Sequence, residues 1–391
     1  MRFIHTADWQ IGKPFGRIAD AQKRSLVQQE RIEAIKRIAR VVQDTEAEAV
    51  LVAGDLFDSR SADKATVSAA CSAIGQVGVP VAVIPGNHDH GGPGSVWEQE
   101  FFLREQAALA PNLVVLLRAE PVVVGSAVVL PCPLLHRSLV EDPTSWLRSF
   151  EGYSDILAGR PRIVLAHGST QVFAGTWPHE DEDSPAAGVI DLDRLPADEI
   201  DYVALGDWHG TKQVNACAWY AGTPEADRFP KGADQDPGNV LVVDVERGRP
   251  PIVNTVKTGR LGWHDISFHL STDVSLDEFA DRMAALLGQR AGEDLLSLTL
   301  SGSIGMEAYN RLDKIIESLE ARLLRLKLVD QTVLAPSEEE IERLTENVAN
   351  PLIARVAARL FEYVAGEGEE ADVARMGLRE LYAASRREAA P

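Results

Sequence analysis

Asp8 with Gln10, Asp55, Asn87 with His88, His167, and Asp207 with His209 share one property: each group follows directly on a short apolar run. Val81-Ala82-Val83-Ile84 shows the pattern. It has the length and β-branching of a buried strand, Pro85-Gly86 stops it, and Asn87-His88-Asp89 follow at once. Arg2–Ala7, Ala49–Ala53, Arg162–Ala166 and Tyr202–Leu205 end in the same way. In open α/β sheets, ligands bind outside the carboxyl ends of the strands. Strands ending so would gather several carboxylates and imidazoles at one edge. Burying them together is costly without a cation, and a divalent metal is the compensating charge that Asp, Asn, Gln and His ligate. At the third such end, the Asn87 carbonyl suits a metal and His88 suits proton transfer. Asp89 suits either orienting that imidazole or capping the turn.

The intervening segments must position these ends. Gln22–Val42 carries Leu26, Ile32, Ile35, Ile38, Ala39 and Val42 near helical spacing, and Asp63–Gln76 reads as a second helix. With three strands between and around them, this β-α-β-α-β rhythm predicts a parallel sheet with helices on its faces. Ser95–Leu109 reads as a helix with a capping box at Ser95 and Glu98, and Thr144–Leu157 as another. Strands are expected at Leu113–Leu117, Pro121–Val124, Ala127–Leu130, Ala218–Ala221, Val240–Val245 and Ile252–Val256. A first domain, 1–258, is expected to end near Lys257–Gly259. Strand, helix, strand and helix over Trp263–Leu324 predict a small α/β accessory domain, 259–335. The rest, 336–391, reads as helical, with a capping box at Ser337 and Glu340, a break at Asn350-Pro351 and an apolar stripe through Leu352, Val356, Leu360 and Val364.

Composition narrows the class. The chain has 391 residues, is 45% hydrophobic and 25% charged, and holds no apolar stretch long enough for a membrane span. No signal-peptide core follows Met1, which leads to the expectation of a cytoplasmic protein with no membrane partner. The three cysteines are widely spaced, against a disulfide framework or thiolate zinc site. Neither a P-loop nor a nucleophile elbow occurs. The net charge is −20, awkward for a chain that holds nucleic acid alone. Acidic residues concentrate at 179–201, whereas Lys13–Arg40 carries eight basic against three acidic residues. Lys13, Arg17 and the basic face of Gln22–Val42 are therefore the candidate contacts to a phosphate backbone. Trp9, Phe57 and Trp208 adjoin the candidate ligands, where aromatic rings serve as core or as base-stacking surface.

The motifs DxQ, Gly54-Asp55-Leu56-Phe57-Asp58, Gly86-Asn87-His88-Asp89, His167-Gly168 and Gly206-Asp207-Trp208-His209 resemble, in order, those of calcineurin-like metallophosphoesterases. The opening His5-Thr6-Ala7-Asp8-Trp9-Gln10-Ile11-Gly12 is similar to that of SbcD-like DNA repair exonuclease subunits. The resemblance covers residues 1–210 and implies an α/β fold: a β-sandwich flanked by helices, with a capping domain and a helical C-terminal tail. It implies two divalent ions, one held by Asp8, Gln10, Asp55 and His209, the other by Asp55, Asn87, His167 and Asp207. His88, with Asp89, would be catalytic, donating a proton to the leaving oxygen or stabilising the charge building there during metal-assisted in-line hydrolysis. Gln10 and Asp207 stand where the family mostly has His. Oxygen donors favour harder ions, so Mn, or Mg, is expected over Zn.

The resemblance further implies DNA as substrate, with exonuclease and some single-strand endonuclease activity. A homodimer would form through Asp63–Gln76 and Ser95–Leu109, and an SMC-like coiled-coil ATPase (SbcC-like) would dock on the C-terminal helices. Such a partner would supply positive surface for DNA. The competing readings are a metallophosphoesterase for small phosphodiesters or nucleotides, and a scaffold inactivated by Gln10 and Asp207.

Overall fold

Strands β1 (Arg2–Thr6) and β2 (Ala49–Val52) are covered on both faces, which is why β2 is wholly apolar; β1 buries His5 and Thr6 along with Phe3 and Ile4. Successive side chains point to opposite faces. Phe3, Ala49 and Leu51 enter one core, and Ile4, Val50 and Val52 enter another.

The computed structural model describes residues 1–136, 141–155, 159–170, 188–230, 236–271, 273–334 and 351–364, with shorter stretches between 342 and 381. It divides into two compact units, Met1–Leu261 and Gly262–Pro391. In the first, β3 (Val81–Val83), β4 (Leu113–Val115), β11 (Asn239–Asp244) and β12 (Ile252–Lys257) join β1 and β2 in a sheet of order β12-β11-β1-β2-β3-β4. Neighbours from β1 to β4 are parallel, while β11 is antiparallel to β1 and β12. A second sheet runs β5-β6-β7-β8-β10-β9, built from β5 (Val122–Val124), β6 (Ala127–Cys132), β7 (Arg162–His167), β8 (Tyr202–Gly206), β9 (Lys212–Gln213) and β10 (Ala218–Tyr220).

The sheets stack face to face on a shared core that includes Phe3, Leu51, Leu165, Tyr202 and Leu241. Helices α1 (Ala21–Thr45), α2 (Lys64–Gly75) and α3 (Glu100–Leu109) cover the outer face of the first sheet. The first sheet thus has helices on one face only, and the second sheet takes the place of helices on the other. Asp20 caps α1 by accepting from the Gln22 and Lys23 amides, and Asp63 caps α2 by accepting from the Thr66 amide.

Local expectations fail in instructive places. Ser95–Leu109 is interrupted: a 3₁₀ turn at Val96–Glu98 precedes α3, because Gln99 is extended at φ −67° and ψ 131°. Glu98 accepts from the Gly94 amide at 2.9 Å rather than closing a box with Ser95. Of Thr144–Leu157, the described residues 144–155 form a 3₁₀ turn at Ser145–Arg148, where Trp146, Phe150 and Tyr153 stack edge-to-face instead of following a helical stripe. Leu26 of α1 is exposed, and its buried face instead includes Val27, Arg31 and Ala34.

The second unit holds β13 (Gly262–Leu270), α4 (Asp273–Leu287), β14 (Asp294–Ile304), α5 (Met306–Arg322), β15 (Arg325–Leu334) and α6 (Pro351–Val364). Its sheet β13-β14-β15 is parallel, and α4 and α5 pack on it through Phe279, Met283, Leu312 and Leu319. Sequence reasoning missed β15. As an edge strand it is largely exposed, and Arg325, Lys327 and Asp330 hide its alternation. In α6, Ala357 is buried, with Ile353, Leu360, Phe361 and Val364 packed around its core, while Leu352 and Val356 of the expected stripe are exposed. The capping box at Ser337 and Glu340 and the acidic residues 179–187 lie outside the described residues.

Candidate metal centre

The parallel ladder of β1 and β2 continues past the strands. The Asp8 amide donates to the Gly54 carbonyl, Gln10 to Asp55, and Ile11 to Leu56. Within this continued pairing the backbone twists out of extended geometry. Asp8 (φ 54°), Gln10 (φ 40°), Asp55 (φ 55°) and, after β8, Asp207 (φ 100°) have positive φ, among six such non-glycine residues in the described chain. Left-handed backbone at Asp and Gln costs about 1–3 kcal/mol per residue, and such strain concentrates at functional sites.

The twist brings carboxylates and imidazole together. Ligand atoms of Asp8, Asp55 and His167 all lie within 4.8 Å of one another, and all three side chains are buried. His167 Nδ1 lies 2.8 Å from the Ala53 carbonyl oxygen, and Nε2 lies 2.9 Å from Asn87 Oδ1. Nε2 is also 3.6 Å from Asp55 Oδ2 and 3.9 Å from Asp207 Oδ1. Asp207 accepts from the Ser169 hydroxyl at 2.8 Å and donates its amide towards both Asp8 oxygens at 3.2 Å. Gln10 and His209 form the flank of the cluster, with Gln10 Nε2 3.5 Å from His209 Nε2.

Two glycines of the motifs are explained by this crowding. Gly54 has φ +89°, and a Cβ there would collide with the His167 ring; one at Gly86 would collide with the Asp55 carboxylate. Gly54→Ala is expected to destabilise the fold by about 2–4 kcal/mol through strain and overpacking, read from chemical denaturation.

The charges need a cation. Burial, with Asp55 and Asp207 nearby, pushes the Asp8 carboxyl up to about 8 despite His167. Burial works against a charged His167, but Asp55, Asp8 and Asp207 outweigh it and raise the imidazole to about 9. Asp55 stays below the usual carboxylate range, because His167 and His88 outweigh its burial. Without metal, then, the cluster neutralises itself with protons on Asp8 and His167. Both give up those protons to a divalent ion, leaving a carboxylate and a neutral imidazole as ligands, so this donor set fits one.

A pH dependence follows. The folded metal-free chain binds more protons than the unfolded chain, through Asp8 between about 4 and 8 and through His167 between about 6.5 and 9. Stability from the His167 proton is full below 6.5 and lost by about 9; the Asp8 proton changes it in the same sense. Melting in EDTA should fall from pH 6.5 to 9, and the gap to the Mn²⁺-loaded protein should widen. An EDTA melting temperature that is flat over this range would refute the charge assignment.

The calcineurin-like phosphoesterase family model matches residues 1–231. The chain belongs to this family. Membership makes it a divalent-metal-dependent phosphoester hydrolase, and the donor cluster lies within the matched residues. The chain is 24% identical over 273 residues to the SbcD component of the SbcCD nuclease of Bacillus subtilis, covering 63% of this chain and 67% of that one. A solved structure of TT1561 from Thermus thermophilus matches 66% of this chain and 98% of its own at 16% identity and a TM-score of 0.40.

Within the phosphoesterase site, His88 stands at the edge. Its Nδ1 lies 3.0 Å from the Asp58 carbonyl, and its Nε2 lies 4.0 Å from Asp55 Oδ2. Asp55 and the Asp58 carbonyl raise its pKa against the effect of burial. Asp89 does not supply the ring contact expected of it. Its two oxygens accept from the Gly86 and Phe57 amides at 2.8 and 3.0 Å, the turn-capping alternative.

Sequence reasoning missed Asp227 and Arg228. Asp227 Oδ1 lies 3.1 Å from His209 Nδ1, and Lys13 Nζ donates to Oδ2 at 2.7 Å. Arg228, His209 and Lys13 hold Asp227 well below the usual range although it is buried, while burial and Arg228 hold His209 down at about 3, a neutral ring. No local signal in Asp227-Arg228 announces this, since their partners are distant in sequence. The basic stripe is also redirected. Arg31 is buried, donating to the Asp8 and Trp9 carbonyls, and Arg37 pairs with Glu30 and Glu225. Trp9 and Phe57 are core, whereas Trp208 is half-buried with Lys212 over its ring at 5.4 Å.

The cysteines are free, and among the described residues no helix is long and apolar enough to cross a membrane.

Proposed function

We propose that the chain is an SbcD-like DNA phosphodiesterase, an exonuclease with some single-strand endonuclease activity in DNA repair. The observation that carries the hydrolytic part is the meeting of Asp8, Asp55 and His167 within 4.8 Å, with Asn87 and Asp207 beside them. Similarity to the SbcD component of the SbcCD nuclease supports DNA as the substrate. In this reading Asp8, Gln10, Asp55 and His209 hold one ion, and Asp55, Asn87, His167 and Asp207 the other. Mn²⁺ is the preferred metal, because oxygen donors predominate. When bound, the ions supply Lewis acidity and an activated water.

The chain's own groups do the rest. Asp227 accepts a hydrogen bond from His209 Nδ1–H, which leaves Nε2 for a metal. Asp58 fixes the His88 ring through its backbone carbonyl, and His88, with 26% of its side chain exposed, reaches the leaving oxygen and protonates it. Asp89 acts by holding the turn that carries Asn87 and His88.

The partner reading rests on the same likeness. An SMC-like ATPase would dock on the C-terminal helices, where Leu352, Val356 and Met376 are exposed, and would provide DNA-binding charge that a chain of net −20 lacks. A homodimer would use α2 and α3, where Leu103 is exposed but Phe102 is core.

Single-stranded DNA and a chromogenic small diester, each assayed with Mn²⁺, test the substrate. Faster turnover of DNA supports the proposal. Hydrolysis of the small diester alone would overturn it in favour of the small-phosphodiester enzyme, which the acidic charge balance favours. Binding of fewer than two ions with no hydrolysis would point to the scaffold.

A further inference from the structure

A set of cations lies against one flank of the cluster. Lys13 Nζ donates at 2.7 Å both to Gln10 Oε1 and to Asp227 Oδ2. Arg228 Nη2 lies 3.1 Å from Asp227 Oδ2, 3.1 Å from His209 Nδ1 and 3.4 Å from His209 Nε2. Gln10 Nε2 is 3.5 Å from that same nitrogen. Two full cations therefore surround one buried carboxylate, and the guanidinium lies over the His209 ring, close to both of its nitrogens. On the other flank, Asp55 and Asp207 approach His167 at 3.6 and 3.9 Å, and the donor to Asp207 is the neutral Ser169 hydroxyl.

A metal ion bound to imidazole sits about 2.0–2.1 Å from the nitrogen. An ion in the ring plane at His209 Nε2 would stand within a few ångströms of the Arg228 guanidinium over the ring, and their charges repel. The guanidinium side chain is 21% exposed, so it has room to turn outward. Its planar fork then suits two oxygens of a phosphoryl group, which a Lys at this position would not match.

We propose that Arg228 is a phosphate-binding residue whose charge weakens a divalent ion at His209 until phosphate draws it away. The idea rests on the metal-centre reading above. It makes the two ions unequal: the Asp55–Asn87–His167–Asp207 side fills first, and the Gln10–His209 side fills weakly. It also couples the second ion to phosphate, since an anion that draws Arg228 away relieves the repulsion. By reciprocity each tightens the other.

The test is calorimetric titration of the full chain with Mn²⁺, with and without inorganic phosphate. Wild type should bind in two steps, the weaker tightened about tenfold by phosphate. Arg228→Gln should tighten the weaker step about tenfold without phosphate and abolish the phosphate effect. Arg228→Lys, which keeps the charge and loses the fork, should retain the weak step and lose most of the phosphate effect. If Arg228 only supports Asp227, both variants will weaken or leave unchanged the second step, and the proposal falls while the metal centre stands. A wild type that binds no Mn²⁺ removes the metal centre and this inference together.

Discussion

Asp55→Asn should lower kcat/KM by about 10³-fold or more while leaving the protein folded. Asp55 is the carboxylate through which the cluster is joined. Its Oδ1 accepts from the His88 amide at 2.9 Å, and its Oδ2 faces His167 Nε2 at 3.6 Å and His88 Nε2 at 4.0 Å. Asparagine has nearly the same shape and keeps an oxygen for the His88 amide. It removes the charge that both ions would share. The same change removes the carboxylate that holds the His167 imidazolium, so melting in EDTA at neutral pH should fall while the protein stays folded. Steady-state hydrolysis with Mn²⁺ and thermal melting together read this out. Activity within tenfold of wild type would remove Asp55 from the centre of the chemistry.

His88→Asn should reduce kcat about 10²–10⁴-fold on DNA, with Mn²⁺ affinity and KM little changed. The ring is anchored through Nδ1 to the Asp58 carbonyl and is not among the three buried groups that converge most closely. A loss in kcat alone is the signature of a group that acts in the transition state. Leaving-group dependence sharpens the test. An alkoxide from DNA needs a proton as it departs, whereas nitrophenolate does not. The variant should therefore retain far more activity on a nitrophenyl diester than on DNA. Equal losses on both substrates would make His88 a positioning residue.

Much of the fold could be read from local sequence because its determinants are local. Val81–Val83 is apolar since the second sheet and the helices cover both its faces, and the same holds for β2. The polar residues after these strands stand out against such runs. Elements on the periphery were harder. β15 has one neighbouring strand and mostly exposed side chains, so nothing forced its sequence to alternate cleanly. The segment at 144–155 is organised by aromatic contacts and by Asp142, which caps Thr144, and neither carries a periodic signal.

The sequence by itself determined which side chains could bind metal, because adjacency to a buried strand end is written in consecutive residues. It could not determine how they divide the work. Asp89 lies next to His88 in the chain, yet it serves two backbone amides, and a carbonyl from the preceding motif holds the ring. Arg31 reads as solvated charge and is buried beneath the site. Lys13, Asp227 and Arg228 meet Gln10 and His209 only because the sandwich folds residues far apart onto one edge. Hydrogen bonds and charge act across a few ångströms of space, and that distance is fixed by the packed sheets, whatever the separation along the chain.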